Sequence, residues 1–162
     1  MLKNSYIHNV IQQVLKTPPK LILPEQNDPR IKEATKLLEK LGFNIINIKD
    51  YNDNNSYIEH IKRKKFTNNW TGNMIETYVS MPLNKALILL DKGCVDCVVA
   101  GADTSSADVI KSSIRIVGLD KKAKWVSSCF FLIDSKEHQA YTYADCGVIP
   151  DPNTQQLVSI AY

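Results

Sequence analysis

Glycine is scarce in this chain. There are six in 162 residues, and none falls in a G-x-G-x-x-G or P-loop spacing. A glycine-loop nucleotide fold therefore has no support. Histidine is scarcer still. His8, His60 and His138 lie far apart, and none sits at a spacing that makes an acid–base pair with a neighbour. The charge imbalance is small, a net +3 with a pI near 8.6, which does not argue for nucleic acid as a partner. No apolar run is long enough to cross a bilayer. The opening stretch, "MLKNSYIHNVIQQVLK", is amphipathic and lacks a signal-peptide core. These absences predict a cytoplasmic protein with no membrane contact. Of the four cysteines, Cys94 and Cys97 form a C-x-x-C, but Cys129, Cys146 and His138 supply no second close pair. Reduced, unpaired thiols and no metal site are expected.

What is present is an alternation of strand-like and helix-like segments. Residues 20–23 read as a strand closed by Pro24. Asp28 is placed as an N-cap and Pro29 as the first helical residue. Ile31, Ala34, Leu37, Leu38 and Leu41 recur at helical spacing before Gly42, a C-terminal cap. "FNIINIK" follows as a strand. Further helices are predicted over 56–65, 73–80 and 82–92, with Gly93 as a stop, then a buried strand over 95–100 and a helix over 106–117. "WVSSCFFLI" is the strongest strand signal. "DSKEHQ" has the composition of a hairpin turn, "AYTYADC" reads as the returning strand, and "TQQLVSIAY" is helical in pattern. The expected class is α/β, a mostly parallel open sheet flanked by helices, with a β-hairpin near the end.

The stretch "VVAGADTSSADVIKSSIRIVG" carries the clearest chemical hint. Gly101, Ala102, Ser105, Ser106 and Ala107 leave little bulk over the backbone where a strand hands over to a helix. Unpaired N–H groups at such a helix start favour an anion, and Thr104, Ser105 and Ser106 can add hydroxyl donors. The alternative is a capped helix, with Ser106 as N-cap and Asp108 satisfying the dipole. Lys111 lies about one turn beyond Ala107, near enough to reach an anion, and Arg115 follows on the same side. Arg63 belongs to the "KRKK" cluster of residues 62–65, a landing patch for an acidic ligand or else a solvated face. Asp145 and Cys146 end a strand, where open sheets bind ligands, although no histidine neighbours the thiol.

Four segments, "PEQNDPR", "VVAGADTSSADVIKSSIRIVG", "VSSCFFLI" and "YADCGVIPDPNTQQLVSIA", occur in this order. Together they resemble the phosphate acetyltransferase and phosphate butyryltransferase family. Its members carry P-E-x-x-D-P-R after one strand, S/A-G-A-x-x-S/T-T/S-A-D after another, then a V-S-S hairpin and D-C-A-x-N-P-x-P-T. The resemblance runs from Lys20 to the end of the chain. It implies two α/β domains with a cleft between them, and transfer of an acetyl or other short acyl group between coenzyme A and inorganic phosphate. Coenzyme A and acetyl phosphate would be substrates, with no separate cofactor. On this resemblance Gly101, Thr104, Ser105, Ser106, Lys111 and Arg63 are the substrate-binding candidates, with Asp145 and Cys146 near the cleft.

The chain departs from the family pattern at Lys111, where arginine is usual, at Gly147 and Ile149 in the D-C segment, and at Thr104, where histidine is common. The family's C-terminal part carries a Ser–Arg pair and an acidic residue that lie past the matched segments. The resemblance therefore divides the chain into residues 1–145, a first domain lacking its C-terminal segment, and residues 146–162, the truncated start of a second. Two functions follow as expectations. One is a phosphate acetyltransferase fragment or split-enzyme half, whose C-terminal half is encoded separately. The other is a non-catalytic folded remnant that binds phosphate or coenzyme A, or serves as an oligomerisation module. An open sheet without its final strands predicts self-association into a homo-oligomer.

Overall fold

The computed structural model describes residues 5–134 and 139–161. Contacts divide the chain into two compact units, residues 17–118 and the combination of residues up to 16 with those from 119 onward.

The 17–118 unit is built on a three-stranded parallel sheet. Its strands are β1 (Lys20–Ile22), β2 (Asn44–Ile45) and β3 (Cys97–Val98), in the order β2-β1-β3. Lys20 pairs with Asn44 and Leu21 with Ile45 on one side of β1. Leu21 pairs with Cys97 and Ile22 with Val98 on the other. The strands are shorter than the apolar runs at residues 43–49 and 95–100 predict. β1 is bounded by Pro18, Pro19 and Pro24, none of which can donate to a ladder, so its neighbours have little to pair with. Beyond β2 the chain turns into a short 3-10 helix, Ile48–Asp50.

Helix α2 (Pro29–Leu41) has the ends its sequence predicts. The Asp28 carboxylate accepts from the Arg30 N–H at 2.8 Å, and Gly42 takes the left-handed conformation at φ 97°. Its apolar stripe is less buried than the periodicity suggests, with Leu37 58% exposed and no residue fully covered. Helix α3 (Asn54–Lys62) starts two residues earlier than expected, because the Asp53 side chain caps it from inside the Asn-rich loop, accepting from the Ser56 N–H at 3.0 Å. Helices α4 (Gly72–Ser80) and α5 (Pro82–Asp91) follow, and the buried Asn84 amide ties them by donating to the Tyr78 carbonyl at 2.9 Å. Helix α6 (Ser106–Ile116) completes the unit. Ile22, Ile61, Ile88 and Ile116 are fully buried and form the centre of its core with Leu89.

The other unit holds α1 (Ser5–Val14), an antiparallel hairpin of β4 (Cys129–Ile133) and β5 (Ala140–Ala144), and α7 (Thr154–Ala161). Phe130 faces Tyr143 and Leu132 faces Tyr141 across the hairpin. Tyr6 of α1 packs on Phe131, ring centroids 6.0 Å apart. The predicted hairpin turn, His138 included, falls largely outside the described residues. The fold is thus a parallel sheet flanked by helices plus a β-hairpin, as the alternation of segments predicts. Among the described residues no helix is long and apolar enough to cross a membrane.

Candidate functional site

With β1 in the middle of the sheet, the chain runs first to β2 on one side and later to β3 on the other. The loops leaving β1 and β3 therefore diverge at one sheet edge, where open α/β sheets place their ligand crevices. The β1 loop carries "PEQNDPR" and the β3 loop carries "GADTSS".

The two loops are locked together by one carboxylate. Glu25 Oε2 accepts the N–H groups of Gly101 (3.0 Å) and Ala102 (2.8 Å), and Oε1 accepts those of Asp103 (3.0 Å) and Thr104 (2.7 Å). Gly101 lies at φ 109°, a conformation that a side chain would strain. Burial opposes the charge on Glu25. The N–H groups of Asp103 and Ala102, with the Thr104 side chain and N–H, outweigh it and lower its pKa from 4.5 to about 2. Arg30 adds a second tie. Its guanidinium holds Asp28 at 2.6 Å and donates to the Ala102 carbonyl. The same contact, led by the Arg30 side-chain hydrogen bond, lowers the Asp28 pKa from 3.8 to about 2.

This corrects the expectation of an amide cradle open to a phosphate. The anion held by the small-residue loop is internal, and the steric room over residues 101–104 admits Glu25. The cap expected at Ser106 is also shifted by one residue. Ser105 Oγ accepts the Asp108 N–H at 3.2 Å and donates to the Asp108 carboxylate at 2.7 Å, so that hydroxyl is spent on the helix start.

Beside the clamp lies a cavity of about 490 Å³, walled by the β1 loop, the α4–α5 junction and α6. Thr104 and Lys111 line it, joined by Ser112, Arg115, Tyr78 and Asn84. Lys111 and Arg115 are one helical turn apart, on one face, and neither pairs with a carboxylate among the described residues. The Tyr78 hydroxyl is buried without a hydrogen-bond partner of good geometry. Burial raises its pKa, with the nearby Ser112 side chain and the Arg115 charge opposing. The α6 wall thus presents two cations without a carboxylate partner among the described residues, with the Arg115 guanidinium over the Phe66 ring at 5.8 Å. Of the four acids around the cavity, Glu25 is spent on amides, Asp28 on Arg30 and Asp108 on Ser105, while Asp103 gives its N–H to Glu25 and lies close enough to Arg30 to favour its charge.

Gly101, Ser105, Ser106 and Arg63 are not among the residues lining the cavity. Arg63 occupies the C-terminal cap of α3, and its cluster is partly consumed: Lys62 pairs with Glu59 at 2.9 Å and Lys64 with Asp91, which also holds His60 at 2.6 Å. Sequence reading missed Tyr78, Ser112 and Glu25. The signal for Glu25 was present in "PEQNDPR", but nothing local says which amides it meets.

In the other unit Asp145 plays a part like that of Glu25. It accepts from the Ser128 hydroxyl at 2.5 Å, the Ser128 N–H at 3.1 Å, and the N–H groups of Val148 (3.3 Å) and Ile149 (2.6 Å). The Ser128 hydroxyl, ahead of these N–H groups, lowers its pKa from 3.8 to about 2. Cys146 donates from its N–H to Ser128 Oγ at 3.0 Å and from its thiol to the Tyr143 carbonyl at 3.0 Å. The four cysteines are unbridged. Among the described residues, no group of three or more His, Cys, Asp or Glu side chains is placed to hold a metal.

Comparison with known proteins bears on this geometry. The profile of a family described as "Phosphate acetyl/butaryl transferase" matches residues 7–162. A phosphate acetyltransferase of Thermoanaerobacterium thermosaccharolyticum is 27% identical over 97% of this chain and 56% of its own length. One from Paracoccus denitrificans is 26% identical over 87% of this chain and 50% of its own length. A Treponema pallidum phosphate acetyltransferase is 36% identical, over 49% of this chain and 25% of its own length. The crystal structure of a phosphotransacetylase from Streptococcus pyogenes superposes with a TM-score of 0.80 at 23% identity, covering 99% of this chain and 56% of that one. The chain therefore spans about half the length of the relatives that it matches almost throughout.

Proposed function

The chain belongs to the phosphate acetyl/butaryl transferase family, and on that premise we propose that it is a phosphate acetyltransferase polypeptide whose 17–118 unit binds a phosphate-bearing substrate at the edge of the sheet. The reaction is acetyl-CoA plus phosphate to acetyl phosphate plus CoA. In the reverse direction the CoA thiolate attacks the acetyl carbon. The carbon–sulfur bond forms, the bond from carbon to phosphate oxygen breaks, and phosphate leaves with that electron pair. The observation that carries the reading is the α6 wall, where Lys111, Arg115 and Ser112 line one cavity, with Tyr78 of α4 on another side of it. Fixed cations and hydroxyls aimed at phosphoryl oxygens are what such a transfer requires of a protein. Lys111 supplies a point charge where the family's usual arginine would grip two oxygens.

The chain's own acids do not serve as the base for the thiol in this reading. Glu25 and Asp145 are held ionised by main-chain amides and serve as clamps. Thiol deprotonation falls to the part of the family's fold that this chain does not span. The division into residues 1–145 and 146–162 belongs to the same proposal. The test is thioester formation from acetyl phosphate and CoA, with the chain alone and with a complementing C-terminal half. Activity in the mixture supports the split enzyme. Silence in both, with phosphate or CoA still bound, supports the second reading, a folded remnant that binds without turnover. The consumption of both motif carboxylates in structural contacts favours that second reading for the chain on its own.

A further inference from the structure

Among the described residues, the wall of the cavity beside α6 carries one amine. Thr104, Ser112 and Tyr78 bring hydroxyls and Arg115 a guanidinium, and Lys111 is the one lysine that lines it. Lys111 is exposed and pairs with no carboxylate among the described residues, so no ion pair holds its Nζ. Arg115 follows one helical turn on, on the same face. Lysine and arginine differ here in chemistry as well as in grip. A guanidinium stays protonated, whereas an amine that has lost its proton carries a lone pair and is a nucleophile.

We propose that Lys111 is a self-acetylation site: an acyl phosphate bound in the cavity transfers its acyl group to the Lys111 amine. This rests on the proposed function for the cavity and goes beyond it, because the acceptor is the protein itself and not a thiol. An acyl phosphate is a mixed anhydride, already activated toward amines. With the phosphoryl oxygens on Arg115, the acyl carbon lies toward the turn that carries Lys111. The ammonium first gives a proton to solvent. Nζ then attacks the acyl carbon. The nitrogen–carbon bond forms, the bond from carbon to phosphate oxygen breaks, and phosphate leaves with that electron pair and takes up the second nitrogen proton. No further reactant is needed. Holding the donor beside the amine raises its effective concentration, which sets Lys111 apart from lysines on the open surface. The product is an uncharged amide. Arg115 is then the remaining cation among the described residues of the cavity wall, so the hold on phosphate weakens. An arginine at this position, the family's usual residue, has no amine to give.

The full chain is incubated with acetyl phosphate and mapped by peptide mass spectrometry. Lys111 is expected to be acetylated about tenfold faster or more than Lys40, an exposed lysine of α2 that does not line the cavity. The rate at Lys111 should saturate with acetyl phosphate and fall when inorganic phosphate competes. The rate at Lys40 should do neither. Acetic anhydride has no phosphoryl group and is the control, expected to show no preference for Lys111. Arg115→Gln should remove most of the preference, with circular dichroism checking that the fold persists. Once the donor is removed, the acetylated chain should bind phosphate more weakly than the untreated chain, and Lys111→Arg should show no such loss after the same treatment. Phosphorus NMR follows acetyl phosphate binding separately. If acetyl phosphate binds while Lys111 reacts no faster than Lys40, the proposal is overturned and the proposed function stands. If acetyl phosphate does not bind and Lys111 is not favoured, both fail. A preference that acetic anhydride reproduces, or that persists in Arg115→Gln, also overturns the proposal, since it would belong to the amine and not to a bound donor.

Discussion

Glu25 and Thr104 are 79 residues apart in sequence, yet the Glu25 carboxylate accepts the Thr104 N–H at 2.7 Å. The N–H groups of Gly101, Ala102 and Asp103 share the same acceptor. The contact fixes the loop that begins the α6 wall and thereby positions Thr104 and Lys111 at the cavity.

Glu25→Gln should therefore cost stability without touching the core. The expected loss is about 1 kcal/mol, at the low end for hydrogen bonds to a charged acceptor because the carboxylate is largely solvent-screened. The effect has a pH signature. A pKa lowered from 4.5 to about 2 means that the folded state holds the carboxylate ionised where the unfolded chain would protonate it. The stabilisation is complete above about pH 4.5 and drains away as the pH falls toward 2. Urea denaturation of both proteins across that window is expected to show the difference closing with acidity. A difference unchanged between neutral pH and pH 2 would assign the loss to something other than the charge.

Gly101→Ala should be costly for a different reason. A Cβ there has room, since its nearest neighbour is the Thr104 carbonyl oxygen at 3.9 Å, but φ 109° is strained for any L side chain. The expected cost is about 1 kcal/mol or more, read as a lower urea midpoint. Relaxation of the loop should also mimic Glu25→Gln, so the two substitutions combined should cost less than their sum.

Ser128→Ala removes the hydroxyl that donates to Asp145 and accepts from the Cys146 N–H. The segment after β5 then loses one of its anchors, the N–H groups of Val148 and Ile149 remaining on Asp145. Limited proteolysis should cut faster around residues 146–149 while the 17–118 unit stays resistant. Uniform acceleration across both units would contradict a local role.

The hairpin carries Phe130, Leu132, Tyr141 and Tyr143 at 61%, 52%, 44% and 57% exposure. In register, Phe130 faces Tyr143 and Leu132 faces Tyr141, so the four share one face of the pleat. An uncharged aromatic face of this kind promotes association. Light scattering should show mass rising with protein concentration, and Phe130→Lys with Tyr143→Lys should suppress it. A monomer at every concentration in the parent protein would remove this prediction.

Much of the local structure is written in residues that act on their near neighbours. Asp28, Pro29 and Gly42 set the ends of α2, and Pro82 and Gly93 bracket α5, because caps and turns work over a few residues. The strand lengths were not legible. They depend on β1, whose flanking prolines limit how far Asn44–Ile45 and Cys97–Val98 can pair. The small-residue loop was legible as an anion holder, but its occupant was not. A row of free N–H groups accepts any carboxylate or phosphate alike, and which one arrives is decided by the 2-1-3 order of the strands. Tyr78 stayed invisible for the same reason, since it reads as one more apolar position on α4 until α6 is packed beside it.

The four-amide grip on Glu25 works as a ruler for the loop after β3. Two oxygens meet four successive N–H groups in order, so adding or removing a residue anywhere from 101 to 104 would leave one amide without its acceptor and pull the start of α6 out of line. Length is fixed there, while at Asp103, where the grip is on main chain alone, the side chain stays comparatively free. That position can change to suit a different substrate without rebuilding the edge of the sheet, whereas a single inserted residue would cost the whole wall.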